Sequence, residues 1–291
     1  MTAPSPARAT PRVHCDPAQA EAQYNLRQAF PDFPDVLETW RAATRQLHAR
    51  HQPQVNLTYG PQPLQDYDYL ASGKPDAPLF VFIHGGYWQS GDKSDIGFIV
   101  EPYLAAGADA VVLNYRLAPQ HPLEAMVDDV MAALVHLHQG RAQGRYTFNP
   151  QRVALMGHSA GGHLVAMAAC RADAAGIPAP AHVFAISGLF DLPPLLPSSV
   201  NHALGLDHAR ATALSPLLLA APDTVQVHTL IGEHETPQFH EQAQVLAQVW
   251  PQVRQHHVIA NTHHFTVLNA LADPAQPAVQ AMIGSMLNFT G

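Results

Sequence analysis

A chain of 291 residues with 15 Lys and Arg against 23 Asp and Glu carries a formal charge of −8. No basic stripe runs through it, which argues against a nucleic-acid partner. Its 47% hydrophobic and 13% charged residues suit a buried core rather than disorder, and two cysteines, Cys15 and Cys170, are too few for a disulfide framework.

Residues 1–17 hold four prolines, Pro4, Pro6, Pro11 and Pro17, and read as a disordered tail without the apolar core of a signal peptide. Residues 18–291 read as one domain, opening with an N-terminal helical segment over 18–50 that is broken at Pro31 and Pro34. The Pro- and Tyr-rich stretch 53–78 suits edge strands at Val55 to Tyr59 and Tyr67 to Leu70. Leu79 to Ile83 is an unbroken apolar run, as in a strand buried on both faces. Ala110 to Leu113, Val153 to Met156, Val183 to Ile186, Val225 to Ile231 and His257 to Ala260 continue the strand series. Helical patterns at Leu123 to His138, Ala160 to Arg171, Phe239 to Val249 and Pro277 to Asn288 fall between and after them. The alternation predicts an α/β fold with a mostly parallel central sheet flanked by helices. Its site belongs at the carboxyl ends of the strands. No apolar run reaches the roughly 18 residues of a membrane span. The expected setting is therefore cytoplasmic, with no membrane contact.

Gly157-His158-Ser159-Ala160-Gly161 has the G-x-S-x-G pattern between an apolar strand and a helix. A sharp strand-to-helix turn of this kind strains the serine backbone and demands small neighbours. It also sets Ser159 at a helix N-terminus, where negative charge is favoured. Upstream, His84-Gly85-Gly86-Tyr87-Trp88 follows directly on the first apolar strand. Acyl transfer develops an oxyanion that needs preorganised N–H donors. Gly85 and Gly86 are candidates, with Ala160 supplying the remaining donor. Tyr87, Trp88 and His158 then become candidate walls of the substrate pocket, although large aromatics more often serve the core.

A serine hydroxyl needs a base, and the base needs a carboxylate to fix its tautomer. On this strand order the acid follows the penultimate strand, where Gly232-Glu233-His234-Glu235 lies, and the histidine follows the last, at His263-His264. Glu235 is preferred, with Glu233 as the alternative acid, and His264 is preferred over His263. The sequence clusters His256, His257, His263 and His264 without any zinc-ligand spacing. No metal and no cofactor are therefore expected.

These residues resemble the α/β-hydrolase superfamily, in its kynurenine formamidase (arylformamidase) branch near the hormone-sensitive-lipase-like esterases. The resemblance runs from about Ala20 to the end. It rests on Glu21 to Asn25 (EAQYN), His84 to Trp88 (HGGYW), Asn114 to Pro119 (NYRLAP), Gly157 to Leu164 (GHSAGGHL), Ser187 to Leu192 (SGLFDL), Leu214 to Pro216 (LSP), Gly232 to His240 (GEHETPQFH) and His264-Phe265. It implies the α/β-hydrolase fold and a triad of Ser159, Glu235 and His264, with Gly85, Gly86 and Ala160 around the oxyanion. The family usually carries Asp where this chain has Glu235. Arg116 of NYRLAP is expected to hold structure rather than substrate. The implied activity is hydrolysis of a small aryl formamide such as N-formylkynurenine. A short-chain carboxylesterase is the alternative, and a catalytically silent binding protein ranks third. The expected partner is a small-molecule substrate, and a homodimer stays open.

Overall fold

The computed structural model describes residues 10–288. One eight-stranded sheet holds Gln54–Thr58 (β1), Asp66–Leu70 (β2), Leu79–Ile83 (β3), Asp109–Leu113 (β4), Val153–His158 (β5), His182–Ile186 (β6), Gln226–Gly232 (β7) and Val253–Ile259 (β8). The spatial order is β1-β2-β4-β3-β5-β6-β7-β8. β1 and β2 pair antiparallel with each other, and β2 pairs antiparallel with β4. Every other pairing is parallel. β3, β4, β5 and β6 are buried along their full length, because helices pack on both faces and leave no solvated position.

The sheet margins depart most from the expected elements. β8 begins four residues before the expected His257, and its sequence VRQHHVI is mostly exposed. An edge strand solvated on one side can be polar, so it gave no apolar run to detect. At the opposite edge, Val55 of β1 is also exposed. The central helices Leu123–Ala142 and Ala160–Arg171 and the C-terminal helix Pro277–Leu287 lie where the periodicity places them. Among the described residues, no helix is long and apolar enough to cross a membrane.

The N-terminal region corrects one expectation. Residues 1–9 of the expected disordered tail lie outside the described residues, but residues 10–17 are docked. The Arg12 guanidinium donates through Nε and Nη2 to Asp191 at 2.8 and 2.6 Å. The backbone N–H of Val13 donates to the same carboxylate, and Val13 itself is buried. Asp191 is 1% exposed, so this segment supplies the countercharge that a buried carboxylate requires. Proline content alone could not reveal that distant partner. Beyond it, Ala20–Tyr24, Leu26–Ala29 and Phe33–His51 form three helices that lie over the carboxyl edge of the sheet.

Candidate active site

The strands deliver their chemistry at one edge. Ser159 follows β5, the His84-Gly85-Gly86 turn follows β3, Ser187 follows β6, Glu235 follows β7 and His264 follows β8. Ser159 sits at φ +56°, ψ −116° between β5 and the helix Ala160–Arg171, a conformation that non-glycine residues adopt only when their surroundings enforce it. Its N–H donates to the Ile186 carbonyl at 2.8 Å. The need for glycine is steric: a Cβ on Gly161 would lie 2.0 Å from the Ile83 carbonyl oxygen, and one on Gly157 would lie 2.1 Å from the Gly161 oxygen.

Glu235 and His264 are both almost fully buried. Glu235 Oε2 lies 2.7 Å from His264 Nδ1, which leaves His264 Nε2 as the ring nitrogen available to another partner. The other carboxylate oxygen, Oε1, accepts from the Ser187 hydroxyl at 2.5 Å and from the Gly232 N–H at 2.8 Å. Both oxygens of the carboxylate are therefore held. Glu233 instead turns outward and accepts from the Asn261 N–H. Of the two candidate acids, then, Glu235 is the one that meets His264. His263 pairs with Asp32 at 3.0 Å and stacks on Phe30. The four clustered histidines diverge, His256 to Thr229 and His257 to Gln255.

Gly85 lies against Ser159: a Cβ there would stand 3.1 Å from the serine Cβ and 2.9 Å from the His158 carbonyl oxygen. The Gly85 carbonyl accepts from His84 Nδ1 at 2.8 Å and is also within reach of the Tyr115 hydroxyl. Since peptide N–H and C=O point to opposite sides of a trans unit, holding that carbonyl aims the Gly86 N–H the other way. Among the described residues, neither the Gly85 nor the Gly86 N–H donates to a backbone carbonyl. Tyr115 also donates to the His84 carbonyl and stacks on its ring. Arg116 is engaged with Asp129, through contacts as short as 2.6 Å. NYRLAP therefore braces this turn.

His158 lines the cavity beside Ser159, and its Nε2 lies 2.8 Å from the His264 carbonyl oxygen. Burial and the neighbouring His264 hold His158 well below the usual imidazole range, so it stays neutral. Tyr87 also lines the cavity, and its hydroxyl donates to the Tyr24 carbonyl at 2.5 Å. Trp88 corrects the pocket expectation: it is fully buried, does not line the cavity and meets His163 edge-on at 5.1 Å. Tyr87 and Trp88 both have positive φ, 50° and 59°, and this local turn sends one aromatic to the cavity and the other to the core.

The cavity measures about 550 Å³. Ser159, His264, Gly85 and Gly86 form its floor, while Tyr24, Phe33, Leu37 and Trp40 of the N-terminal helices wall it from above. Those helices are pinned by Trp40 Nε1 donating to Asn269, Thr236 Oγ1 donating to the Gln23 carbonyl, and Phe33 packing on Phe265. The 18–50 segment thus helps enclose the site.

The pattern of the α/β-hydrolase fold matches residues 80–265. That span contains every residue described above at the floor of the cavity.

The chain belongs to the α/β-hydrolase family.

This α/β hydrolase is similar to the kynurenine formamidase of Danio rerio, at 27% identity over 92% of this chain and 89% of the relative. It is 31% identical to that of Drosophila melanogaster, over 76% and 79%. A solved structure from Silicibacter sp. TM1040, described provisionally as a thioesterase, superposes with a TM-score of 0.82. It is 27% identical, with 92% of this chain and 99% of that one covered. In this α/β hydrolase Ser187, which opens the SGLFDL stretch, has φ +49° and holds Glu235, a contact that the stretch alone does not reveal.

Proposed function

We propose that this α/β hydrolase cleaves a small aryl formamide, N-formylkynurenine being the leading candidate, through a formyl-enzyme on Ser159. The observation that carries the reading is that His264, backed by the buried Glu235, lines the same cavity as Ser159, in a chain similar to kynurenine formamidases along most of its length. Ser159 Oγ attacks the formyl carbon as His264 Nε2 takes its proton. Glu235 holds the imidazole tautomer and offsets the charge of the imidazolium. The N–H groups of Gly85, Gly86 and Ala160 receive the oxyanion. Collapse of the intermediate expels the arylamine, to which His264 returns the proton. Water, deprotonated by the same histidine, then attacks the formyl ester and releases formate and free Ser159. An aromatic-walled cavity of this volume suits a planar arylamine.

The same parts would serve a carboxylesterase for short acyl esters. The test compares kcat/KM on N-formylkynurenine and on p-nitrophenyl acetate, for the wild type and Ser159→Ala. The formamide is the preferred substrate, and Ser159→Ala loses roughly 10⁴-fold or more on both. Preference for the ester with the formamide at background sinks the formamidase reading and keeps the serine chemistry. Unchanged turnover by Ser159→Ala sinks the chemistry itself.

A further inference from the structure

The cavity wall carries four charged side chains: Arg27, Arg41, Asp92 and Asp95. Three of them have partners. Arg41 Nε lies 2.7 Å from Asp95 Oδ1. Asp92 accepts from the Ser94 N–H at 2.8 Å and from Asn114 Nδ2 at 3.0 Å. Arg27 differs: among the described residues it is an exposed cation with no ion pair and one long hydrogen bond. Its Nη2 reaches the Ser90 hydroxyl at 3.4 Å, and its guanidinium stands 5.7 Å from the centre of the Phe33 ring. Both contacts orient the guanidinium and leave most of its donors open.

Its place relative to the reacting centre is read through Ser90. Ser90 caps the oxyanion turn: its N–H donates to the Gly86 carbonyl at 3.1 Å and its Oγ lies 3.3 Å from the same oxygen. Arg27 is therefore one hydroxyl removed from the turn that carries Gly85 and Gly86. It stands on the cavity wall rather than on the floor beside Ser159. A formamide bound with its formyl carbon at Ser159 would extend its remaining substituents along that wall. A planar, permanently charged fork with open donors matches a carboxylate bidentately. With Asp95 neutralised by Arg41, Asp92 is the wall carboxylate without an ion pair among the described residues, which disfavours a multiply charged anion and favours a ligand whose one carboxylate is balanced by an ammonium.

We propose that Arg27 is a specificity-determining residue that binds the carboxylate of an amino-acid-bearing aryl formamide on the wall of the Ser159 cavity. This rests on the formamidase reading and adds to it the residue that selects the amino-acid tail. Because the tail does not react, its binding is felt equally in the ground and transition states, and its loss appears chiefly in KM.

The test compares N-formylkynurenine with N-formylkynuramine, which lacks only the carboxylate, on the wild type, Arg27→Gln and Arg27→Lys. Arg27→Gln raises KM for N-formylkynurenine by roughly tenfold or more, the scale of a lost charge-assisted hydrogen bond. That loss exceeds the loss on N-formylkynuramine by a similar factor, with kcat changing least. Arg27→Lys recovers part of it, since the charge returns without the fork. Equal losses on the two substrates, or no loss on either, overturn the inference while leaving the formamidase reading in place. A wild type that turns over neither formamide overturns both.

Discussion

At the scale of single residues, the geometry separates the group that meets the substrate from the groups that aim it. Glu235 reaches His264 with one oxygen, and its other oxygen accepts from Ser187 and Gly232. A carboxylate held at both oxygens cannot rotate away from the imidazole. Ser187→Ala removes the shorter of the two supports and leaves the backbone one. We expect kcat on the preferred substrate to fall about tenfold, equivalent to about 1.4 kcal/mol of barrier, with KM little changed. Steady-state kinetics on folded protein, with circular dichroism as the check on folding, decides this. A KM effect with kcat intact would move Ser187 from positioning the acid to shaping the pocket. Glu233→Gln is the control: that side chain meets Asn261 at the surface, and its loss leaves both constants near wild type.

At the scale of elements, legibility followed burial. The strands β3 to β6 announce themselves because sheets covered on both faces need continuous apolar runs. β8 is polar and at an edge, so its true start at Val253 was invisible in VRQHHVI. The G-x-S-x-G turn was legible because its backbone can be built only with small residues, as the close approaches at Gly157 and Gly161 attest. Trp88 was not, since its direction depends on two consecutive positive φ values that no propensity encodes. The docked segment 10–17 is the sharpest case. Its fate rests on Asp191, whose partner lies 179 positions away in sequence. Arg12→Ala leaves that carboxylate buried with the Val13 N–H as its remaining partner from this segment. The guanidinium is about one-third exposed, which tempers the cost of losing the pair to about 1–3 kcal/mol. Urea unfolding should register it as a lower midpoint at unchanged slope. No loss of stability would mean that water replaces Arg12 at no cost, and that the segment is carried by the fold rather than contributing to it.

For the whole molecule, the notable charge bookkeeping concerns imidazoles placed where they cannot ionise. His163, His182 and His228 are buried and each is pushed down to about 4, with loss of hydration the first cause in every case. His163 Nε2 lies 2.8 Å from the Leu214 carbonyl oxygen, and His228 packs against Phe184 and near His182. In the unfolded chain these rings titrate near 6.5. Between that value and about 4 the unfolded state binds protons that the folded state refuses, so acidification favours unfolding throughout the window. The stability present above pH 6.5 should therefore decline as the pH falls toward 4. Three groups acting together remove several kcal/mol, comparable to the net stability of an ordinary domain. Urea midpoints at pH 7.5, 6.5, 5.5 and 5.0 should fall steadily over a range in which ordinary surface carboxylates remain largely ionised. His228→Phe fills the site with an apolar ring of similar breadth and removes one of the three titrations. It should flatten the decline by less than a third, since His158 and His84 are also held below the usual imidazole range by burial, whether or not it raises stability at pH 7.5. A profile for His228→Phe parallel to the wild type would place the acid sensitivity elsewhere, with the other buried imidazoles, His158 first, as the next groups to substitute.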